Sequence, residues 1–394
     1  MRRHSKLVLA LASSIAVLAA ARGASAGEMD PAPERLYVQP HGLPLVGPGG
    51  ASLGCQEVAQ NPNLVFSPPF PAGTATSPAS PTPYACQPNN VAWANMMSEL
   101  GMAIAPPAFH AARTTGIGGF ALTFQASFTK INSDATAGGV QYWHDGTQGI
   151  IDPNTKQYSV HNSSPDSVLQ VYSINARKGL GYGFELAGAL GYVANTSLWV
   201  GGGDAHWAPL EGYRTGLLGY FPDIAIGAGV RTLGGSPKFY LTTVGIDAQV
   251  SKPFNLADSA VLTPYIGVQR IIIFADSTVV DFTPNVDPLQ QCGWLGPNVP
   301  GNPYAHAPYT GLPVCQHKLA NGADNNGDFN NDHIFTKARI HRWRGILGVN
   351  YRYEILYLAA QFATDVTDPG SENSDLGITG DKQWTLSLEA GVSF

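Results

Sequence analysis

Hydrophobic and polar residues alternate without exception over the last eleven residues of the chain. The apolar positions are every second residue, namely Trp384, Leu386, Leu388, Ala390, Val392 and Phe394. A period of two indicates a β-strand, because successive side chains of a strand point to opposite faces. The same pattern places Phe120, Leu122, Phe124, Ala126 and Phe128 on one face. Alternation alone does not distinguish a soluble sandwich from a membrane barrel, since both present one apolar face.

The same rule predicts ten strands in all, the first from 120. The others span approximately 167–178, 181–194, 197–208, 223–233, 238–252, 260–275, 337–353, 354–366 and 382–394. Each approaches or exceeds the ~9–11 residues with which a tilted strand crosses a bilayer. An even count brings both chain ends of a barrel to the periplasmic side, although eight or twelve strands remain open. In the strand from 260, either Arg270 or Gln269 must face the lipid.

Loop lengths agree with a membrane barrel, whose periplasmic turns are short and whose outer loops are long. If the first strand runs outward, the long connections 132–166, 276–336 and 367–381 all fall outside. Only the connection 209–222 is long on the inner side. We therefore expect residues 117–394 to form a barrel with extracellular loops at 132–166 and 276–336.

The first 116 residues are organised differently. Residues 1–26 combine a basic start, an apolar run and Ala24-Ser25-Ala26, the pattern of a signal peptide. Residues 27–116 are rich in proline and are predicted to form an irregular periplasmic arm. Apolar residues recur near helical spacing from Asn90, the expected N-cap, to Pro106-Pro107. This spacing predicts one short helix, which either plugs the barrel or rests on it.

Composition narrows the class of protein. Charged residues make up 13% of the chain, about half of the ~25% of a typical soluble protein. Beyond residues 1–26 no apolar stretch reaches the ~18 residues of a membrane helix. Without the four basic residues of that segment the chain has 18 basic and 28 acidic residues, a net charge of −10. Nucleic acid is therefore not an expected partner, because phosphates require a basic face.

A terminal aromatic residue preceded by alternating apolar residues resembles the C-terminal strand of Gram-negative outer-membrane β-barrel proteins. The resemblance implies an all-β, antiparallel up-and-down transmembrane barrel in the cell outer membrane, in contact with lipid and lipopolysaccharide. It also implies that the barrel assembly machinery reads this strand, through Trp384, Leu386, Leu388, Val392 and Phe394.

If lipid covers the apolar faces, the lumen receives both signs of charge. The predicted lumen cluster is Arg177, Glu185, Asp204, Asp247, Arg342, Arg344, Arg352 and Glu389, together with His206, Arg231 and Glu354. One interpretation is a structural core of ion pairs, since an unpartnered buried charge costs several kcal/mol. The other is a small-solute conduit in which Arg342 and Arg344 form a selective ring.

Residues at the predicted rims have two interpretations as well. Lys130, Lys337, Arg339 and His341 either hold lipopolysaccharide phosphates or extend to the interface as solvated side chains. The predicted aromatic girdle consists of Trp199, Trp207, Tyr351, Tyr353 and Trp384.

Four cysteines form two local pairs, Cys55 with Cys86 and Cys292 with Cys315, at intervals of 31 and 23 residues. Two disulfides are expected in an exported chain, with zinc as the alternative. Asp324, Asn326 and Asp328 offer oxygens at alternate positions as a weak calcium candidate, although the segment departs from the EF-hand pattern and also fits a flexible loop. No cofactor is expected.

These observations favour a passive small-solute conduit or a membrane-spanning structural protein. Adhesion through the disulfide-stapled loop 276–336 is the alternative. A remote alternative is an outer-membrane protease that uses His144, Asp145, Asp276 and Asp365, but no local protease motif is present. We therefore expect no enzymatic activity.

Overall fold

A computed structural model describes most of the chain. The described residues are 27–38, 87–108, 111–147, 162, 164–212, 221–257, 260–282, 292–294, 313–315 and 332–394. Within these ranges no helix has both the length and the apolar character that crossing a membrane demands.

Ten antiparallel strands form one closed barrel. They are β1 Phe120–Lys130, β2 Val168–Gly181, β3 Phe184–Val193, β4 Trp199–Leu210, β5 Asp223–Gly234, β6 Phe239–Ser251, β7 Ala260–Ser277, β8 Ala338–Tyr353, β9 Leu356–Asp365 and β10 Trp384–Ser393. Each strand pairs with its neighbours in sequence, and β10 pairs with β1 to close the ring. The predicted strand count and the up-and-down order are therefore confirmed.

The two ends of the barrel differ as the loop lengths predict. Phe120 and Phe394 meet at one end, which we call the inner end, and exchange backbone hydrogen bonds of 2.7 and 2.9 Å. The turn between β2 and β3 at this end is tight: Tyr182 and Gly183 both have positive φ, as a two-residue hairpin turn requires. Glu354 also has positive φ, in the turn between β8 and β9. The connections 131–167, 278–337 and 366–383 join strands at the opposite, outer end, whereas the connection 211–222 is long at the inner end.

The apolar faces point outward and the polar faces inward. In β10, Leu386 and Leu388 are exposed, whereas the alternating residues Ser387 and Glu389 are buried. In β7, Ile266 and Val268 point outward and Gln269 inward, which places Arg270 on the outer face. Because no described residue covers this exterior, the apolar side chains form a surface that suits hydrocarbon.

A helix, α1 (Asn90–Ile104), lies inside the barrel. Every residue from Ala92 to Ile104 is buried, and the helix contacts β1, β2, β6, β7 and β8, which surround it. Its N-cap is Asn89, whose side chain accepts the Ala92 amide at 3.0 Å, rather than the predicted Asn90. The helix therefore plugs the barrel, which is one of the two positions that the sequence left open.

The segment 27–38 lies at the outer end, contrary to the expectation of a periplasmic arm. The Met29 amide donates to the Asn195 carbonyl at 2.9 Å, and the Ser197 amide donates to Asp30 at 2.6 Å. Both partners belong to the outer turn between β3 and β4. Lys238, next to the start of β6, pairs with Glu34. The segment 27–38 therefore lies at the outer mouth, from which α1 descends into the lumen.

Several short elements lie outside the ten barrel strands and α1. At the outer end they are the 3-10 turns Pro33–Arg35 and Ser374–Leu376, the helical turns Tyr142–Asp145 and Pro369–Glu372, and the strand pairs Tyr37–Val38 with Gln87–Pro88, Thr136–Ala137 with Val140–Gln141, and Val280–Asp281 with Asp332–His333. Cys292–Trp294 pairs with Pro313–Cys315, and Phe254–Ala257 extends the inner edge beside β7.

Candidate functional site: the filled lumen

Glu99 joins the helix to the outer loop 131–147. Its buried carboxylate accepts hydrogen bonds from Tyr142 at 2.6 Å, from Trp143 at 2.7 Å, and from the amide and side chain of Asn132 at 3.0 and 2.7 Å. Burial, together with the charge of Glu99, raises the pKa of the Tyr142 hydroxyl well above its ordinary value, so the phenol stays protonated and donates. Four donors on one buried carboxylate fix the loop to the plug.

Arg342 joins the helix to the barrel wall just below that layer. Its guanidinium holds Asp365 through two hydrogen bonds, and both side chains are almost completely buried. It also donates to Gln383 and to the hydroxyl and carbonyl of Ser98 in α1. The predicted lumen arginine is therefore saturated by wall and plug together.

Arg344 and Gln269 hold the end of the helix. Arg344 donates to the Pro106 carbonyl and to Gln269, each at 2.6 Å, and Gln269 donates to the same carbonyl at 3.2 Å. Higher in the helix, Thr243 donates to the Gly101 carbonyl at 3.1 Å. Arg342 and Arg344 thus bind plug backbone rather than forming an open ring.

Other predicted lumen residues pair along the wall. Arg231 makes two hydrogen bonds to Asp204, at 2.9 and 2.7 Å. Asp247 accepts from Gln249 at 3.0 Å, and His206 is buried and faces inward. On this part of the wall, Arg231, Asp204 and Asp247 are therefore already engaged by partners within the chain.

The inner half contains a second cluster. Arg177 lies 3.4 Å from Glu389 and stacks over the Tyr357 ring at 4.6 Å. Glu185 accepts the backbone amide of Thr115 at 2.7 Å. The chain that continues from α1 thus runs down the lumen to the inner rim.

A polar cavity of about 620 Å³ lies at the inner mouth. Its lining includes Arg113, Arg177, Arg352, Glu211 and Glu354. Arg352 and Glu354 are exposed there, whereas the sequence placed both in the lumen core. The difference arises because β8 ends at this rim and Glu354 belongs to the turn that follows.

The predicted C-terminal and girdle residues lie on the exterior. Trp384, Leu386, Leu388, Val392 and Phe394 share the outward face of β10, and the rings of Phe120 and Phe394 are 5.5 Å apart at the seam. Trp207 stacks on Phe184 with ring centroids 5.7 Å apart. Trp199, Tyr351 and Tyr353 also point outward, as an interfacial girdle requires.

The four residues of the protease hypothesis do not form one cluster of hydrogen bonds or ion pairs in the described part of the chain. His144 contacts the adjacent Asp145 at 2.9 Å, Asp276 pairs with Lys337 at 2.7 Å, and Asp365 pairs with Arg342. Each of the last two carboxylates therefore has a cation of its own.

The predicted cysteine and calcium sites are described only in part. The hairpin register sets Cys292 opposite Cys315, a placement that a disulfide between neighbouring strands can use. Cys55 and Cys86 lie outside the described residues, as do Asp324, Asn326 and Asp328. Both disulfides and the calcium site stay predictions. In the described part of the chain, no group of three or more His, Cys, Asp or Glu side chains could hold a metal.

Sequence reasoning missed Glu99, Gln269 and Gln383 as site residues. Glu99 carried a signal, because it is the only charged residue between Asn90 and Ile104. An acid in an otherwise apolar helix requires buried partners. The two glutamines carried no comparable signal, since neutral polar residues are ordinary on the inner face of a barrel strand.

No family model matches the chain, and no curated protein matches it. Among solved structures, it is similar to Ail, the attachment invasion locus protein of Yersinia pestis, at 8% identity and a TM-score of 0.23, over 71% of this chain and 99% of that one. Neisserial surface protein A matches at 12% identity and a TM-score of 0.23, over 70% and 97% of the two chains. The outer membrane protein OprG of Pseudomonas aeruginosa matches at 11% identity and a TM-score of 0.23, over 72% of this chain and 99% of that one.

The class of protein follows from the barrel itself. A closed antiparallel barrel with an even number of strands, an apolar exterior and a polar interior is the architecture of bacterial outer-membrane proteins. The chain is an outer-membrane β-barrel protein, located in the cell outer membrane.

Proposed function

We propose that this protein is a plugged barrel that spans the outer membrane and holds a folded outer surface in place, rather than a constitutively open conduit. The observation that carries the proposal is the position of α1, buried along its length and surrounded by five strands. Three hydrogen bonds from the barrel wall would break if the helix moved. Arg342 donates to Ser98, Arg344 donates to the Pro106 carbonyl, and Thr243 donates to the Gly101 carbonyl.

The outer surface supports the structural part of this proposal. Three parts of the outer end are held by hydrogen bonds: the segment 27–38 bonds to the outer turn between β3 and β4, the loop 131–147 bonds to α1, and the segment 369–378 bonds to β8 and to α1. Glu99 alone connects the plug to three residues of one loop. A barrel whose outer end is tied to its plug in this way presents a fixed surface.

Planar-bilayer recording tests the proposal. The refolded protein should give no discrete conductance steps at moderate voltage, because α1 fills the lumen. A gel that compares boiled with unboiled samples serves as the folding control, since closed barrels resist SDS until they are boiled. Regular conductance steps from a preparation that passes this control would overturn the proposal in favour of a conduit.

A gated small-solute conduit is the second candidate, and the inner cavity favours it. The cavity of about 620 Å³ is lined by charged residues of both signs and opens at the inner rim. Solute could cross only if α1 moved. Adhesion through the loop 276–336 stays a further prediction, because most of that loop lies outside the described residues.

A further inference from the structure

Two arginines stand on the lipid-facing surface of β7 and β8, near the outer end. Arg270 is paired across the strands with Trp343, and Phe274 is paired with Arg339. His341 lies between these two levels on the same face. Four strand positions separate the two levels, a span of roughly 14 Å at ~3.4 Å per residue.

Each guanidinium rests on an aromatic ring. Arg270 lies 5.3 Å from the centroid of Trp343, and Arg339 lies 5.5 Å from that of Phe274. Neither forms a hydrogen bond or an ion pair with any residue that the structure describes. Stacking positions the charge but leaves the N–H groups at the edge of the guanidinium free to donate.

The acidic residues near Arg270 and Arg339 do not pair with either arginine. Asp276 is bound to Lys337 at 2.7 Å. Glu372 and Asp375 lie near His341 but bond neither arginine. The backbone of His341 is held by the Asn373 side chain through two hydrogen bonds of 2.8 Å, which fixes this part of β8.

The outward-facing patch of Arg270, Arg339 and His341 begins at the level where β9 ends. The Val366 amide donates to the Trp343 carbonyl at 2.9 Å, directly after the end of β9. Toward the inner end, the same face carries Ile266, Val268 and Leu347, each more than half exposed. A cation directly above an apolar belt suits the headgroup layer of a membrane, because a charged side chain on a barrel exterior costs least near the interface.

We propose that Arg270 and Arg339, with His341 between them, bind phosphate groups of lipopolysaccharide in the outer leaflet. Planar guanidinium groups form paired, charge-assisted hydrogen bonds with phosphate. The two levels suit a lipid headgroup that carries more than one phosphate, and the apolar face below receives its acyl chains. Of the rim residues suggested by the sequence, Arg339 and His341 belong to the site, Arg270 joins them, and Lys337 is engaged by Asp276.

Binding to the refolded protein, measured by native mass spectrometry in detergent, tests the proposal. The probes are bis-phosphorylated lipid A, the same lipid without phosphates, phosphatidylglycerol and inorganic phosphate. The variants are the double variant Arg270→Gln/Arg339→Gln and the control Lys337→Gln. The boiled and unboiled gel establishes that each one is folded.

Wild type and Lys337→Gln should bind lipid A equally, and the double variant should bind it about tenfold or more weakly, because it lacks the charge-assisted hydrogen bonds to phosphate. Removing the phosphates from the lipid should weaken wild-type binding similarly. Equal binding of lipid A by the wild type and the folded double variant would overturn the site. Wild-type binding of phosphatidylglycerol or inorganic phosphate as strong as that of lipid A would overturn the assignment to lipopolysaccharide.

Discussion

At the residue scale, alternation along the strands predicts which charges face inward but not what each one binds. Arg342, Arg344 and Glu389 face the lumen as their parity requires. Their partners include Ser98 and Pro106, which come from a segment far away in sequence. Such partners depend on where the plug lies, and no local pattern records that position.

The Arg342–Asp365 pair gives the clearest prediction at this scale. Asp365→Asn should lower the free energy of unfolding by ~3–5 kcal/mol, because it leaves the buried Arg342 without its counter-charge. Urea titration in lipid vesicles measures the change. The control is Asp276→Asn, which breaks the exposed pair with Lys337 and should cost only ~0–1 kcal/mol. Equal effects of the two substitutions would contradict the assigned importance of the buried pair.

At the element scale, the strands are predictable to within a few residues, whereas the place of the helix is not. Strand parity repeats over many residues and is tied to lipid on one side, so errors of register are visible in sequence. The apolar spacing of α1 predicts a helix but is equally consistent with one that rests outside the barrel. The proline content of 27–116 suggested an arm on the inner side, yet residues 27–38 cover the outer mouth.

Close packing between α1 and β7 can be tested at Gly101. A Cβ at this position would lie 2.5 Å from Cγ2 of Ile273, so Gly101→Val should destabilise the protein by ~1–3 kcal/mol in the same urea titration. The double variant Gly101→Val/Ile273→Ala should recover part of the loss, because the alanine makes room for the valine. Gly188→Val is the control, since a Cβ there meets nothing within 4 Å. If the effects of Gly101→Val and Ile273→Ala, each measured alone, simply add up in the double variant, contact between the helix and β7 is contradicted.

At the scale of the whole molecule, the outer-membrane barrel is predictable, but the state of its lumen is not. Low charge content, ten alternating segments and the asymmetry of the loops all point to the barrel. The expectation of an open solute path rested on lumen charges alone. The structure uses Arg342 and Arg344 to hold the plug instead, and this is why a closed scaffold is the function we propose.

Hydrogen–deuterium exchange of the refolded protein in micelles tests the plug most directly. An isolated helix of this length is marginally stable in water, and its amides exchange rapidly. Buried inside the barrel, the amides of α1 should exchange as slowly as those of β7 and β8. Exchange of the α1 amides at the rate of an unstructured peptide, while the strands stay protected, would contradict the account.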